Sequence, residues 1–267
     1  MRILVTNDDG IDAPGLWAAG KELQKVGEVK VVAPQWEQSG GGASITLRQP
    51  IKVNKVKSRL RGVEAYAMEG TPADCVIIGI RSLFPEKIDM LVSGINRGAN
   101  IGHDVFVSGT VGAALQGHLH GIPSLAISVN AYEDLDFEAA AKLTALLAAK
   151  IKDGILPKEI LLNINLPSLP PKKILGVEVT ELSKQSYCDT VEKSQNGKEG
   201  HYRIRRNNKD TYHVNQGSDV WALQLNRISI TPLLNGFVDN SLQACLQRLT
   251  PLLHDELRCC AEAEIHR

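Results

Sequence analysis

Apolar residues in the first two thirds of the chain fall into short runs separated by stretches of helical period. Residues 3–6 and 29–33 read as buried strands. Between them Leu16, Ala19, Leu23 and Val26 recur at helical spacing, which predicts a helix over 16–26. The stretch Thr71-Pro72-Ala73-Asp74 has the form of a helix start: a capping Thr, Pro in the first turn, and an acid three residues after the cap. It leads into residues 75–84. A strand at 88–92, a Gly-rich loop over 93–109, a small-residue helix over 110–120, a strand at 125–129, a helix over 137–152 and a strand at 161–166 follow. This alternation predicts an α/β fold, a mostly parallel sheet with helices on both faces.

From residue 160 the texture changes. Residues 175–232 are rich in Thr, Val, Tyr, Lys and Asn with several turn signals, and read as an accessory, largely β segment. Within it SQNGKEGHYRIRRNN has the look of an exposed hairpin or flexible loop. Residues 242–265 are helical in pattern, with Pro251 as a break or a fresh first turn. The division expected is a catalytic core over 1–170, an accessory β-rich segment over 171–240 and a helical tail over 241–267.

Thirty basic and thirty acidic residues cancel, so no global field draws the chain to polymeric nucleic acid or an anionic membrane. An anionic ligand has to be held by a local site. No apolar run approaches the length of a membrane span, and the chain passes from Met1-Arg2 straight into a strand. The five cysteines, at 75, 188, 245, 259 and 260, form no C-x-x-C pair or framework spacing. Reduced thiols and a cytoplasmic location are the expectation.

Asp8 and Asp9 end the first strand. Ligands of open α/β sheets sit outside the carboxyl ends of strands, so the position alone marks a candidate site. Adjacent carboxylates repel unless a cation lies between them or water solvates both. A hard divalent ion such as magnesium or manganese matches two aspartates, and Gly10 permits the curl that brings both to one ion. The plainer alternative is that Asn7 and Asp8 only cap the following turn.

Two further stretches bear on the same crevice. Ser39-Gly40-Gly41-Gly42 follows the second strand and offers a hydroxyl and bare amides, yet fits neither a Walker loop nor G-x-G-x-x-G. A flexible glycine turn accounts for it equally well. In SGINRGANIGHDVFVSGTVGAALQG, Asn96 and Asn100 sit in a loop, and Ser108-Gly109-Thr110 opens a helix whose start offers free amides to a phosphate. Ordinary capping by Ser108 or Thr110 is compatible with that use. His103 lies in the same loop and would serve to stabilise charge or protonate a leaving group, although a loop histidine is commonly a bystander. His118 and His120 lack a third ligand, so zinc is unsupported.

Taken in order, ILVTNDDG-x-x-APG, the Ser39-Gly40 loop, GTPADCV, SGIN-x-G-x-N-x-G-x-DV and SGTVGAA resemble the stationary-phase survival protein SurE family over residues 1 to about 130. Each motif alone is weak, whereas the ordered set is specific. The resemblance implies a Rossmann-like fold with oligomer-forming extensions and a metal-dependent phosphatase of nucleoside 5'- and 3'-monophosphates, with side activity on polyphosphate. It implies one magnesium or manganese ion per subunit held by Asp8, Asp9, Ser39 and Asn96; in the catalytic reading of the site, Asp8 or Asp9 receives the proton of the attacking water. It implies phosphate contacts from Gly40, Asn96, Ser108, Gly109 and Thr110, and carries nothing onto His103. Relatives commonly have tyrosine where this chain has Val107, so a phenol near the pocket is missing.

Two other functions fit parts of the pattern. An aspartyl-phosphate phosphatase would use Asp8 as nucleophile, but Gly10 stands where such enzymes place a second acid. A non-catalytic nucleotide-binding module would need no acids, and a carboxylate pair holds an anion poorly without metal. The apolar tail and an exposed β edge lead to the expectation of a homodimer or homotetramer with exchanged C-terminal extensions.

Overall fold

The computed structural model describes residues 1–131, 136–184, 189–193, 201–206 and 214–233. Strand β1 (Arg2–Thr6) leads through helix α1 (Pro14–Leu23) into β2 (Glu28–Pro34), the β-α-β opening expected from the pattern. Strands β3 (Val53–Val56) and β4 (Glu64–Met68) follow; their short, mixed runs carry no clear period in the sequence. Helix α2 (Pro72–Ile78) begins as predicted. The Thr71 side chain accepts from the Asp74 backbone N–H, and the Asp74 side chain accepts from the Thr71 backbone N–H.

Strand β5 (Met90–Arg97) runs five residues past the expected end at 92, because an irregularity in its register with the next strand lets pairing resume at Asn96. Helix α3 (Gly109–Leu119), strand β6 (Ser124–Asn130), helix α4 (Glu138–Lys152) and strand β7 (Leu161–Pro167) stand close to their predicted places. After β7 come β8 (Val177–Val179), a separate antiparallel hairpin of β9 (Asp189–Lys193) and β10 (Tyr202–Arg206), helix α5 (Asp219–Gln224) and β11 (Ile228–Pro232). Strand β10 lies in the stretch read as an exposed hairpin or loop, and β9 ends just before it. The short helix α5 does not appear in the β-rich reading of that region.

The main sheet has nine strands in the order β3-β4-β2-β1-β5-β6-β7-β11-β8. Strands β4, β2, β1, β5, β6 and β7 are mutually parallel; β3 pairs antiparallel with β4, and β11 pairs antiparallel with β7 and parallel with β8. Two strands of the expected accessory segment, β8 and β11, thus extend the same sheet. The described residues belong to one unit, Met1–Leu233. The helical tail expected over 241–267 lies outside the described residues.

Side chains alternate across each strand, so the central strands feed two cores. Ile3 and Val5 pack with Leu16 and Trp17 of α1 and with Ala140 and Ala148 of α4. Leu4 packs with Cys75 and Val76 of α2 and Ala113 of α3. Helices therefore cover both faces, and strands buried on both sides read as continuous apolar runs. From β1 the chain moves to β2 on one side and later returns to β5 on the other. The crevice at the carboxyl ends of β1 and β5 is the switch point of the sheet, where ligands of such folds bind.

Candidate functional site

At the end of β1 the backbone turns sharply. Gly10 has φ +97, a conformation that favours glycine, and the Asn7 side-chain amide donates to its carbonyl at 2.9 Å. The Gln38 N–H donates to the Asp8 carbonyl at 2.7 Å, which ties this turn to the loop after β2. The turn capping foreseen for this stretch is present, through Asn7. It also points Asp8 inward, where only 4% of the residue is exposed.

Helix α3 starts directly against that carboxylate. A side chain at Gly109 would place its Cβ 2.8 Å from the Asp8 Cβ, so only glycine allows the approach. Thr110, fully buried, donates its hydroxyl to Asp8 Oδ1 at 2.5 Å. Ser108 caps the helix, its hydroxyl accepting from the Val111 N–H at 3.1 Å. The Gly42 N–H donates to the Val107 carbonyl at 2.9 Å, which brings the Ser39–Gly40 turn to the same crevice.

Strand β5 contributes the third wall. Asp9 Oδ2 accepts from the Arg97 backbone N–H at 3.2 Å. The Asn96 side-chain amide nitrogen donates to the Gly98 carbonyl at 2.8 Å, so its oxygen is the atom it has to offer a ligand. Ser39 donates its hydroxyl to Glu37 Oε1 at 2.7 Å. The Arg97 guanidinium lies 3.9 Å from that same Glu37 carboxylate.

A cavity of about 580 Å³ opens over these groups. Asp8, Ser39, Gly40, Asn96 and Ser108 are among its lining residues. Asp9 stands beside it on Arg97; Gly109 and Thr110 lie behind Asp8 rather than on the cavity wall. His103 occupies the 3₁₀ turn Gly102–Phe106 with its ring 6.1 Å from that of Phe106, and does not line the cavity. Val107, the position where a tyrosine was expected from the resemblance, lines it.

Burial dominates the electrostatics. It pushes the Asp8 carboxyl up from 3.8 to about 6; hydrogen bonds from Thr110 pull it back, and the charge of Asp9 adds to the rise. Asp9 is also raised, chiefly by burial, with the Arg97 N–H and guanidinium opposing and Glu37 adding to it. Both carboxylates are thus short of positive charge. Among the described residues no group of three or more His, Cys, Asp or Glu side chains is placed to hold a metal. What the crevice offers is two carboxylates, an amide oxygen and a hydroxyl, all oxygen donors suited to a hard ion that keeps several waters.

Of the remaining wall, only part was legible from motif spacing. Asn100 is pinned under the cavity: its N–H donates to Asn165 Oδ1 at 2.8 Å, its side chain to Ser128 at 2.9 Å, and its carbonyl accepts from Asn163 at 2.7 Å. The Gly102 N–H donates to Asp219 Oδ2 at 2.7 Å, so α5 is fastened to this loop. Val220, Leu223 and Gln224 of α5 and Asn130 at the end of β6 complete the lining. Asn100 stood out in the Gly-rich motif, but the α5 residues lie in a region whose local pattern is that of strands.

The description "Survival protein SurE" belongs to the family model that matches residues 3–189. The 5'-nucleotidase SurE of Dehalococcoides mccartyi strain CBDB1 is 48% identical over 235 residues, covering 87% of this chain and 88% of the relative. The 5'-nucleotidase SurE of Moorella thermoacetica is 43% identical over 233 residues, covering 87% of this chain and 90% of the relative. The crystal structure of the SurE protein from Aquifex aeolicus superposes with a TM-score of 0.79 at 34% identity, covering 94% of this chain and all of that one. Similarity of this extent, over the strands and loops that build the crevice, places the chain in the SurE family.

Proposed function

We propose that this chain is a nucleotidase that hydrolyses nucleoside 5'-monophosphates, and 3'-monophosphates and polyphosphate as further substrates, to release phosphate. The observation that carries the reading is the buried Asp8 carboxylate, set beside Asp9 at the switch point of the sheet and facing a cavity with Ser39, Asn96 and Ser108. The relatives named 5'-nucleotidase support it.

The all-oxygen donor set, with carboxyls whose charge burial disfavours, fits one magnesium or manganese ion held by Asp8, Asp9, Ser39 and Asn96. When bound, the ion supplies Lewis-acid polarisation of a phosphoryl oxygen and a lowered pKa for an attacking water. The Ser108 hydroxyl and the Gly40 N–H, both on the cavity wall, hold the phosphoryl oxygens as charge builds on them. Water adds to phosphorus and the bond to the ester oxygen breaks. The Asp8–Asp9 pair accepts the water's proton, and the departing nucleoside oxygen takes up a proton in turn. Thr110 acts through Asp8, keeping its carboxylate oriented and ionised. His103 receives no role.

Exposed apolar side chains support a homo-oligomer. Val177 and Val179 on the edge strand β8 are 54% and 76% exposed, and Val191, Tyr202 and Ile204 on the hairpin are likewise open. We assign a homodimer or homotetramer in the cytoplasm; light scattering that finds a monomer at micromolar concentration removes the assembly. Among the described residues no helix is long and apolar enough to cross a membrane.

The deciding experiment is phosphate release from nucleoside monophosphates, sugar phosphates and polyphosphate with manganese, with magnesium and with chelator. Asp9→Asn is expected to lose turnover at least a hundredfold with the fold intact by circular dichroism. Near-normal activity in that variant, or full activity in chelator, overturns the assignment.

A further inference from the structure

The cavity is several times larger than a phosphate group, and its volume of about 580 Å³ lies in the range that encloses a whole small-molecule ligand. Its lining is of two chemical kinds. One part is Asp8, Ser39, Asn96 and Ser108; another is Ile101, Val220 and Leu223, with the amide side chains of Gln224 and Asn130. The first suits a charged phosphoryl group. The second suits a flat, largely apolar ring with polar edges, because apolar side chains gain from covering its faces and amides both donate and accept at its rim.

The second wall is built, not incidental. Asp219, fully buried, accepts from the Gly102 N–H at 2.7 Å, the Ser183 N–H at 3.0 Å and the Val220 N–H at 2.8 Å. One carboxylate thereby joins the first turn of α5 to the loop that follows Ile101. The Ser218 hydroxyl caps the helix by accepting from the Trp221 N–H at 3.2 Å. Asn100, one residue before Ile101, is held from the other side by β6 and β7 through Ser128, Asn163 and Asn165. Both edges of the apolar wall are therefore fixed before a ligand arrives, which limits the ordering cost of binding.

We infer that α5 and the loop over 98–101 form the seat of the substrate's nucleoside, with Leu223 and Gln224 as the residues that make the enzyme prefer a nucleotide to a phosphate ester lacking a base. This rests on the nucleotidase reading above. Phosphoryl transfer is served by Asp8 and the residues about it, and the base adds binding energy on other residues of the lining, so each can be disturbed alone.

The test compares kcat/KM for adenosine 5'-monophosphate and ribose 5-phosphate in the manganese-loaded full chain, in wild type, Gln224→Ala and Leu223→Ala. Gln224 is exposed, so its truncation leaves the fold in place even where loss of the buried Leu223 does not. Wild type is expected to favour the nucleotide by about tenfold or more, and each folded variant to reduce that ratio by about three- to tenfold, mainly through KM for the nucleotide. Adenosine without phosphate is expected to inhibit wild type competitively and the variants more weakly. If wild type hydrolyses both esters equally, or Gln224→Ala leaves the ratio and the adenosine inhibition unchanged, the nucleoside seat is wrong and the phosphatase site stands. If wild type hydrolyses neither ester, the nucleotidase reading falls and the seat with it.

Discussion

The hydroxyl of Thr110 donates to the carboxylate of Asp8, two residues 102 positions apart in the chain. The bond links the first turn of α3 to the end of β1 and lowers the Asp8 carboxyl against the rise that burial imposes. Removing it by Thr110→Val keeps the shape and deletes the donor. The Asp8 carboxyl then moves further up, so the acid limb of the kcat/KM profile shifts to higher pH. Manganese affinity, read by titration calorimetry, is expected to fall about 10- to 100-fold. An unshifted profile with unchanged affinity contradicts a role for Thr110 through Asp8.

Metal-free protein carries a cost at Asp8 whose sign depends on pH. The folded chain holds this proton more tightly than the unfolded chain, since burial raises the carboxyl from 3.8 to about 6. The associated stability is fully present below about pH 4 and is lost as pH climbs through about 6. Asp8→Asn removes the ionisation and is expected to raise metal-free stability above pH 6, by up to about 3 kcal/mol, with no gain near pH 4. Thermal melts in chelator at both pH values check this. In saturating manganese the order reverses, because the variant has lost a ligand.

Helix α2 depends on its capping box. Thr71→Ala removes the side-chain acceptor of the Asp74 N–H, as well as a hydroxyl that donates to the Ser44 carbonyl at 2.7 Å. A loss of about 1 kcal/mol in urea unfolding is expected. Because Asp74 also accepts from the Thr46 N–H and hydroxyl, at 2.9 and 2.7 Å, Asp74→Ala is expected to cost more. Equal midpoints for the two variants refute the shared anchoring.

Asp219→Ala strips the acceptor from three backbone N–H groups at once. Leaving buried donors unpaired is expected to cost about 3 kcal/mol or more. Hydrogen exchange at Gly102 and Ser183 is expected to accelerate beyond that at β1 and β5. Uniform acceleration across the sheet speaks against a local clamp.

The alternation of apolar runs with helical period, the Thr71–Asp74 cap and the Asp8–Asp9 pair were legible because each rests on neighbours in the chain. Strand β1 is apolar over residues 3–5 since both faces are covered, and the α2 cap is closed by residues three apart. The ordered motifs likewise pointed to the family and to Asp8, Ser39, Asn96 and Ser108, which the fold brings to one cavity.

What tertiary structure alone decided are the relationships between distant segments. That β8 and β11 extend the main sheet, that Thr110 faces Asp8 instead of the cavity, that His103 turns toward Phe106, and that α5 closes the pocket all depend on contacts across long separations. Local periodicity reports how a segment satisfies its own backbone and which face it buries. It does not report which remote carboxylate will accept its N–H groups, as Asp219 does for Gly102, and that choice sets the shape of the site.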